Sequence, residues 1–323
     1  MNDELTGDRH ILLSDIAELY YVDGLSQEEI AKEVNLSRPS ISRLLIKARE
    51  LGVVKIQIDH PIPTNAGYET ELEKLMPIQS AHVLDMGVTT EPHLVSSYGR
   101  LGAGVIQKTI KDGMVFGITW GTTVHTIVSE LSPVSLPNAK IVQVLGGVGA
   151  PYYSIDGPEQ VRQIGDLFSA QHYYLNAPIM VDTPEVASTL RNDHSIKEVL
   201  DLAKRSDIAL IGIGSIVPEI STHFHSGYLS YENLRQLDKQ GIVGSLCSYY
   251  YDIHGEHKYV PWCDDCTISI TWNDIHNIPT VIGVGYGAGK GPAILGALRS
   301  GAIDILITDR PAAEEVIRLS KDT

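Results

Sequence analysis

Residues 25–52, LSQEEIAKEVNLSRPSISRLLIKARELG, place apolar side chains at helical spacing in two short registers separated by a break. In the first, Ile30, Ala31 and Val34 mark the inner face of a helix beginning at Gln27. In the second, Ile41, Leu44, Leu45, Ala48 and Leu51 follow one another at three- and four-residue steps, forming a single apolar stripe. Ser26 followed by Glu29 is a capping box, and Leu25 with Ile30 makes a hydrophobic staple. Asn35 falls at the break, where a residue tolerant of the left-handed conformation is needed. Ser37 caps the second helix and Pro39 suits its first turn. An upstream helix, from about Ile11 to Tyr21, supplies the third side of a small core.

After Gly52 the pattern changes. VVKIQID (53–59) alternates as a short strand, and HPIPTNAG (60–67), with two prolines and a glycine, marks a domain boundary. From residue 80 onward near-continuous apolar runs alternate with helical segments. The clearest runs are MVFGITW (114–120), KIVQVLGG (140–147), DIALIGIGS (207–215), TVIGVGYG (280–287) and DILITD (304–309). Strands buried on both faces read this way. The expected organisation is an N-terminal all-α helix-turn-helix domain over residues 1–58, a linker over 59–79, and a C-terminal α/β domain over 80–323 built on an open, mostly parallel sheet.

Charge sharpens the reading of the first domain. The 323-residue chain carries a net charge of −15, which argues against nucleic acid until its distribution is inspected. Residues 1–35 hold two basic residues and nine acidic ones; residues 36–58 hold Arg38, Arg43, Lys47, Arg49 and Lys55 against Glu50 alone. A basic strip on the outer face of the second helix can track phosphates, while the surrounding acid discourages non-specific binding. Recognition helices read bases from their N-terminal turns, so Ser37, Arg38, Ser40, Ser42 and Arg43 are the expected base contacts. Lys47 and Arg49 are expected on phosphates, and Ser26, Gln27 and Pro39 complete the DNA-facing set.

In the second domain, glycine and hydroxyl residues follow several strands, where ligands of open α/β sheets sit. In GITWGTT (117–123), Gly121 permits close backbone approach and Thr122 and Thr123 offer hydroxyls at a helix start, an anion cradle. LGGVGAP (145–151), GIGS (212–215) and YGAGKG (286–291) follow, the last adding Lys290. Any one of these loops is ordinary turn chemistry; four of them with one lysine and two threonines point to a small anionic ligand. No nucleotide-binding fingerprint is present.

These segments resemble the SorC/DeoR family of sugar-responsive regulators. The matching pieces are LYYVDGLSQEEIAKEVNLSRPSISRLLIKARELGVV, GITWGTT, VQVLGG, NAP (176–178), ALIGIGS, HSGYLS, YYYDIHG and GALRSGAIDILITD, spanning nearly the whole chain. The resemblance implies a sugar-binding domain akin to sugar-phosphate isomerases and deaminases, a phosphorylated sugar or polyol as effector, and a homo-oligomer, dimer or tetramer, on palindromic operator DNA. It implies that Gly121, Thr122 and Thr123 hold the phosphate, that Gly146 and Gly147 line the sugar pocket, that Asp252 accepts sugar hydroxyls and that Lys290 supports the anion. Two departures stand out. Some relatives carry a Schiff-base-forming lysine in the strand just before the double glycine, where this chain has Leu145, so binding is expected to be non-covalent. Relatives often carry an arginine near position 266, where this chain has Cys266.

Other functions compete less well. A sugar-phosphate isomerase-like or deaminase-like enzyme fused to a DNA reader is the main alternative, with Asp252, His254 and Lys290 able to move protons. No nucleophile–base pair at short spacing supports it, so no catalytic residue and no cofactor is expected. His254, His257, Cys263 and Cys266 have zinc-like spacing, but only five residues separate the pairs. An exposed, metal-free loop is the preferred reading; His223 and His225 are placed to touch ligand from a loop, but a solvated loop is preferred for them as well. A pure interaction module would leave the glycine loops without a role. Three cysteines cannot build a disulfide framework, and neither a signal peptide nor a membrane span is legible, so a cytoplasmic protein without membrane partners is expected.

Overall fold

The computed structural model describes residues 3–54, 62–87, 89–149 and 152–322. The chain divides into two compact units, Met1–Pro61 and Ile62–Thr323. The strand expected over 53–59 lies outside the described residues from Lys55 onward.

The first unit packs three helices, α1 (Asp3–Tyr21), α2 (Gln27–Glu33) and α3 (Arg38–Glu50). Ile16, Ile30, Ile41 and Leu45 form one buried cluster, with Leu25 packed against it, and Leu13, Ala17 and Ala48 form a second. The capping box is complete: Glu29 N donates to Ser26 Oγ at 3.3 Å and Ser26 N donates to Glu29 Oε2 at 2.8 Å. Asn35 takes φ +53° in the turn between α2 and α3, and Ser37 Oγ accepts from Ser40 N. Leu51, expected on the apolar stripe, is instead 49% exposed, because α3 ends at Glu50 and the chain turns at Gly52. We expect Ser26→Ala to lower the opening free energy of α2 by about 1 kcal/mol, a roughly fivefold faster amide exchange at Ile30 by hydrogen-exchange NMR.

The second unit is built on a seven-stranded parallel sheet. Its strands are β1 (Ser80–Leu84), β2 (Val115–Ile118), β3 (Lys140–Gln143), β4 (Gln171–Tyr173), β5 (Ile208–Gly212), β9 (Thr280–Val284) and β10 (Ile305–Asp309). Their order is β1-β10-β9-β5-β2-β3-β4, every neighbouring pair parallel. β6 (Gly214–Ser215), β7 (Ile242–Leu246) and β8 (Tyr249–Asp252) form a small antiparallel sheet.

The apolar runs have a direct cause. Ile208 and Leu210 of β5 pack into one core cluster, with Ile141, Ile282 and Ile307, while Ala209 and Ile211 pack into another, with Val142, Val281 and Leu306. Successive side chains of a strand point to opposite faces, so both faces of the sheet are covered. β3 and β4 extend the sheet to one side of β2, whereas β5 returns to the other side. The direction of winding therefore reverses between β2 and β5. That is a topological switch point, where a crevice opens beyond the strand ends.

The linker expected over 59–79 is corrected. Residues 65–76 form a capped helix, α4 (Ala66–Leu75), within the second unit. Asn65 Oδ1 accepts from Gly67 N and Tyr68 N; Glu69 and Glu73 accept from Val83 N and Ala81 N of β1; Leu72 is fully buried. Of the stretch that read as a linker, Pro63 and Thr64 lead into the helix and Asn65 caps it, while residues 59–61 lie outside the described residues.

Candidate functional site

Beyond β2 and β5 lies a partly open crevice lined by the exits of both strands, the place where ligands of open α/β sheets sit. Its floor is stitched by Thr119, whose hydroxyl donates to Leu210 O at 3.3 Å and accepts from Gly212 N at 3.1 Å, tying the exits of the two switch-point strands together. Gly121 follows at φ +127°, a conformation that favours glycine, and turns the chain into α6 (Thr122–Val128). Gly121, Thr122 and Thr123 line the pocket together, as expected.

Lys290 enters the same pocket from the 3₁₀ turn Ala288–Lys290, after β9, and donates to Ile213 O at 2.5 Å. Burial alone lowers its ammonium to about 8. Among the described residues no carboxylate lines the pocket. Trp120, Leu145, Ser245, Cys247 and Ser248 complete the wall with His223. The His223 Nε2 lies 3.1 Å from Ser248 Oγ, and its ring meets Trp120 edge-on at 5.4 Å between centroids. Burial, then the charge of Lys290, lowers its pKa to about 4, so it is neutral at physiological pH. Burial pushes the Cys247 thiol up to about 12, which makes it a poor nucleophile.

Three expected ligand contacts are elsewhere. A Cβ on Gly146 would meet Pro178 O at 2.2 Å, so this glycine exists to let two backbone segments approach. Gly147 N donates to Ala177 O and the residue lines a separate hollow with Asp156, Asn176 and Tyr228. Asp252 ends β8, where its carboxylate accepts from His254 N and Glu256 N at 2.9 and 3.0 Å and pairs with Lys258 at 2.8 Å. It closes a turn and does not line the pocket.

His223 corrects the solvated-loop reading, and Ser245 and Ser248 were missed. All three sit where long-range packing, not local pattern, brings them to the crevice. The His/Cys constellation is also redrawn. Cys263 and Cys266 are buried, with Cys263 Sγ facing Ser248 O at 3.3 Å, while His257 Nε2 lies 2.7 Å from Asp264 Oδ1 and its ring stacks on Trp272. Among the described residues no three His, Cys, Asp or Glu side chains gather as a metal site.

In the first unit, Ser37, Arg38, Pro39 and Arg43 are exposed and Ser40, Ser42 and Lys47 half-buried along the first turns and outer face of α3. Ser26, exposed, and Gln27, half-buried, stand at the start of α2. Ser26 and Ser37 already serve as helix caps, and Lys47 pairs with Glu50 at 3.0 Å. Arg38 and Arg43 keep their guanidinium groups away from any carboxylate pairing among the described residues.

Residues 60–318 match the family model described as "Putative sugar-binding domain". The deoxyribonucleoside regulator of Bacillus subtilis (strain 168) is 30% identical over 93% of this chain and 95% of its own length. The transcriptional regulator LsrR of Enterobacter sp. (strain 638) is 30% identical over 96% of this chain and 93% of its own. The crystal structure of the full-length sorbitol operon regulator SorC from Klebsiella pneumoniae superposes with a TM-score of 0.70 at 28% identity, covering 96% of this chain and 99% of that one.

Proposed function

The chain belongs to the SorC/DeoR-type family of sugar-binding transcriptional regulators, and from that premise we propose that it binds operator DNA through α2 and α3 and is controlled by a sugar phosphate held in the switch-point pocket. The observation that carries the effector reading is a crevice lined by one lysine, four threonines and, among the described residues, no carboxylate. Such a lining favours an anion with hydroxyl groups beside it. Thr122, Thr123 and Lys290 hold the phosphate; Trp120 and Leu145 give the sugar an apolar wall. Leu145 leaves no lysine at the Schiff-base position, so binding is non-covalent. The protein acts as a regulator rather than an enzyme, a reading supported by relatives named as regulators. Because one recognition helix reads half a site, the protein binds a palindromic operator as a homo-oligomer, with effector binding relieving repression.

Double substitution Thr122→Val with Thr123→Val tests the cradle. Each hydrogen bond to a charged group contributes about 1.5–3 kcal/mol, so calorimetry should show at least a tenfold loss of affinity for the effector with operator binding unchanged. Unchanged effector affinity removes the threonines from the site.

The pH profile tests Lys290. Its folded pKa, about 8, lies below the ordinary 10.5. Below pH 8 the folded chain carries the whole cost of burying the charge. Between 8 and 10.5 the unfolded chain keeps a proton that the folded chain has released, so stability rises with pH in that window. A bound phosphate stabilises the ammonium and reverses the preference. Effector affinity should therefore peak near pH 7, where the phosphate (second pKa about 6) is a dianion and the lysine is charged. Above pH 8 it should fall by up to about tenfold per pH unit. Affinity that stays level to pH 9.5 in titration calorimetry argues against Lys290 as the anion's partner.

A further inference from the structure

We propose that the pocket is selective for sugar monophosphates and reads their uncharged end through His223, which Ser248 holds in place. This deepens the effector reading above and rests on it. The charge inventory of the lining comes first: among the described residues Lys290 is its one lysine or arginine, and no carboxylate joins it. One phosphate finds one cation. A second phosphate on the same sugar would be desolvated against neutral groups, a cost no partner offsets. An amino sugar would bring an ammonium group toward Lys290 with no acid to receive it.

The neutral wall is specific in its chemistry. His223 is uncharged, so with one ring nitrogen engaged by Ser248 the other, Nδ1, is left to meet a sugar hydroxyl, which can donate or accept as the tautomer requires. Its Nε2 faces Ser248 Oγ at 3.1 Å, and the Trp120 edge contact fixes the plane of the ring. Hydroxyl-reading sites built from buried polar groups discriminate strongly, because an analogue lacking the hydroxyl leaves those groups unpaired.

The second, independent observation is the backbone beneath Ser248. Leu246 pairs with Tyr249, so Cys247 and Ser248 form a two-residue hairpin loop between β7 and β8. Both have positive φ, +49° and +69°, in a turn normally taken by Asn-Gly. Neither residue is suited to that conformation, and both are buried in the pocket wall. The turn is locked by Cys263 Sγ on Ser248 O at 3.3 Å and by Ser269 Oγ on Cys247 O at 3.4 Å. Strain kept at a ligand site points to a function for the side chain it retains. Glycine at 248 would relieve the strain and delete only the hydroxyl that orients His223.

The test uses the full-length protein in titration calorimetry and thermal denaturation. Probes are ribose 5-phosphate, glucose 6-phosphate and glucitol 6-phosphate, with fructose 1,6-bisphosphate, glucosamine 6-phosphate and inorganic phosphate as comparisons. The wild type should bind at least one monophosphate about tenfold or more tightly than the bisphosphate or the amino sugar phosphate. Ser248→Gly should raise Tm, weaken that monophosphate about tenfold and leave inorganic phosphate unchanged; His223→Phe should weaken the same ligand alike. The proposal is overturned if both variants keep wild-type affinity for the monophosphate, if Ser248→Gly lowers Tm, or if the bisphosphate binds as tightly. In those cases a monophosphate that still depends on Lys290 leaves the effector reading standing. Failure of every phosphate to bind the wild type overturns that reading, and this proposal with it.

Discussion

Lys290→Met removes the effector response and leaves operator binding intact. Among the described residues the lysine is the one lysine or arginine in a pocket without a carboxylate, and its ammonium already lies in a desolvated position, donating to Ile213 O. On the proposed reading a bound phosphate would be its principal charge partner. Removing one member of a buried charge pair costs about 2–5 kcal/mol, much of it from the charge left unpaired, so effector affinity should fall by about thirtyfold or more. Methionine keeps the length and apolar body of the side chain, and the unliganded protein should become more stable at pH 7, because a buried charge has been deleted. The two changes run in opposite directions, which separates loss of a ligand contact from damage to the fold. Operator-release assays and thermal denaturation on one preparation check both. A variant that still releases operator at wild-type effector concentrations places the anion elsewhere.

The second large effect belongs to the first unit. Arg38→Ala and Arg43→Ala should each weaken operator binding by about 1–3 kcal/mol and together by at least thirtyfold. Both side chains are exposed on the early turns of α3, so neither substitution removes core packing. Lys47→Ala should cost less, since Glu50 at 3.0 Å already offsets that charge. Fluorescence anisotropy at two salt concentrations distinguishes the roles. A base reader loses discrimination between operator and unrelated DNA, whereas a phosphate contact weakens both equally and lowers the salt slope by about one. Wild-type affinity in the double variant would mean that α3 does not face the DNA.

Legibility in the sequence followed the range of the forces involved. The starts of α2 and α3 were readable to the residue because each is set by neighbours a few positions away: the Ser26–Glu29 box, the Ser37 cap, Asn35 in its positive-φ turn. The parallel strands were readable because burial on both faces leaves near-continuous apolar runs. That Gly121, Thr122 and Thr123 come together at the pocket was readable because strand, glycine and helix start are contiguous. α4 was misread because Asn65 is a cap whose helix is held mainly by distant partners, Leu72 in the core and Glu69 and Glu73 on β1. Gly146 was misread because its need for glycine comes from Pro178, far along the chain. His223 and Ser248 are 25 residues apart and meet only through the fold, and the Cys247–Ser248 turn carries no Asn or Gly to announce it.

The central claim is that a phosphorylated sugar in the switch-point pocket is what the protein senses. A thermal-shift screen of the wild type and Lys290→Met, against matched sugars and sugar phosphates, tests it most directly. A ligand confined to the native state stabilises it by about 2.7 kcal/mol at one hundred times its Kd, a rise of roughly 5–10 °C for a unit of this size. The account predicts that rise for a sugar phosphate with the wild type, none for the matching free sugar, and at most about a third of it for Lys290→Met. A free sugar or polyol that shifts both proteins equally would contradict it and move the ligand out of the phosphate class.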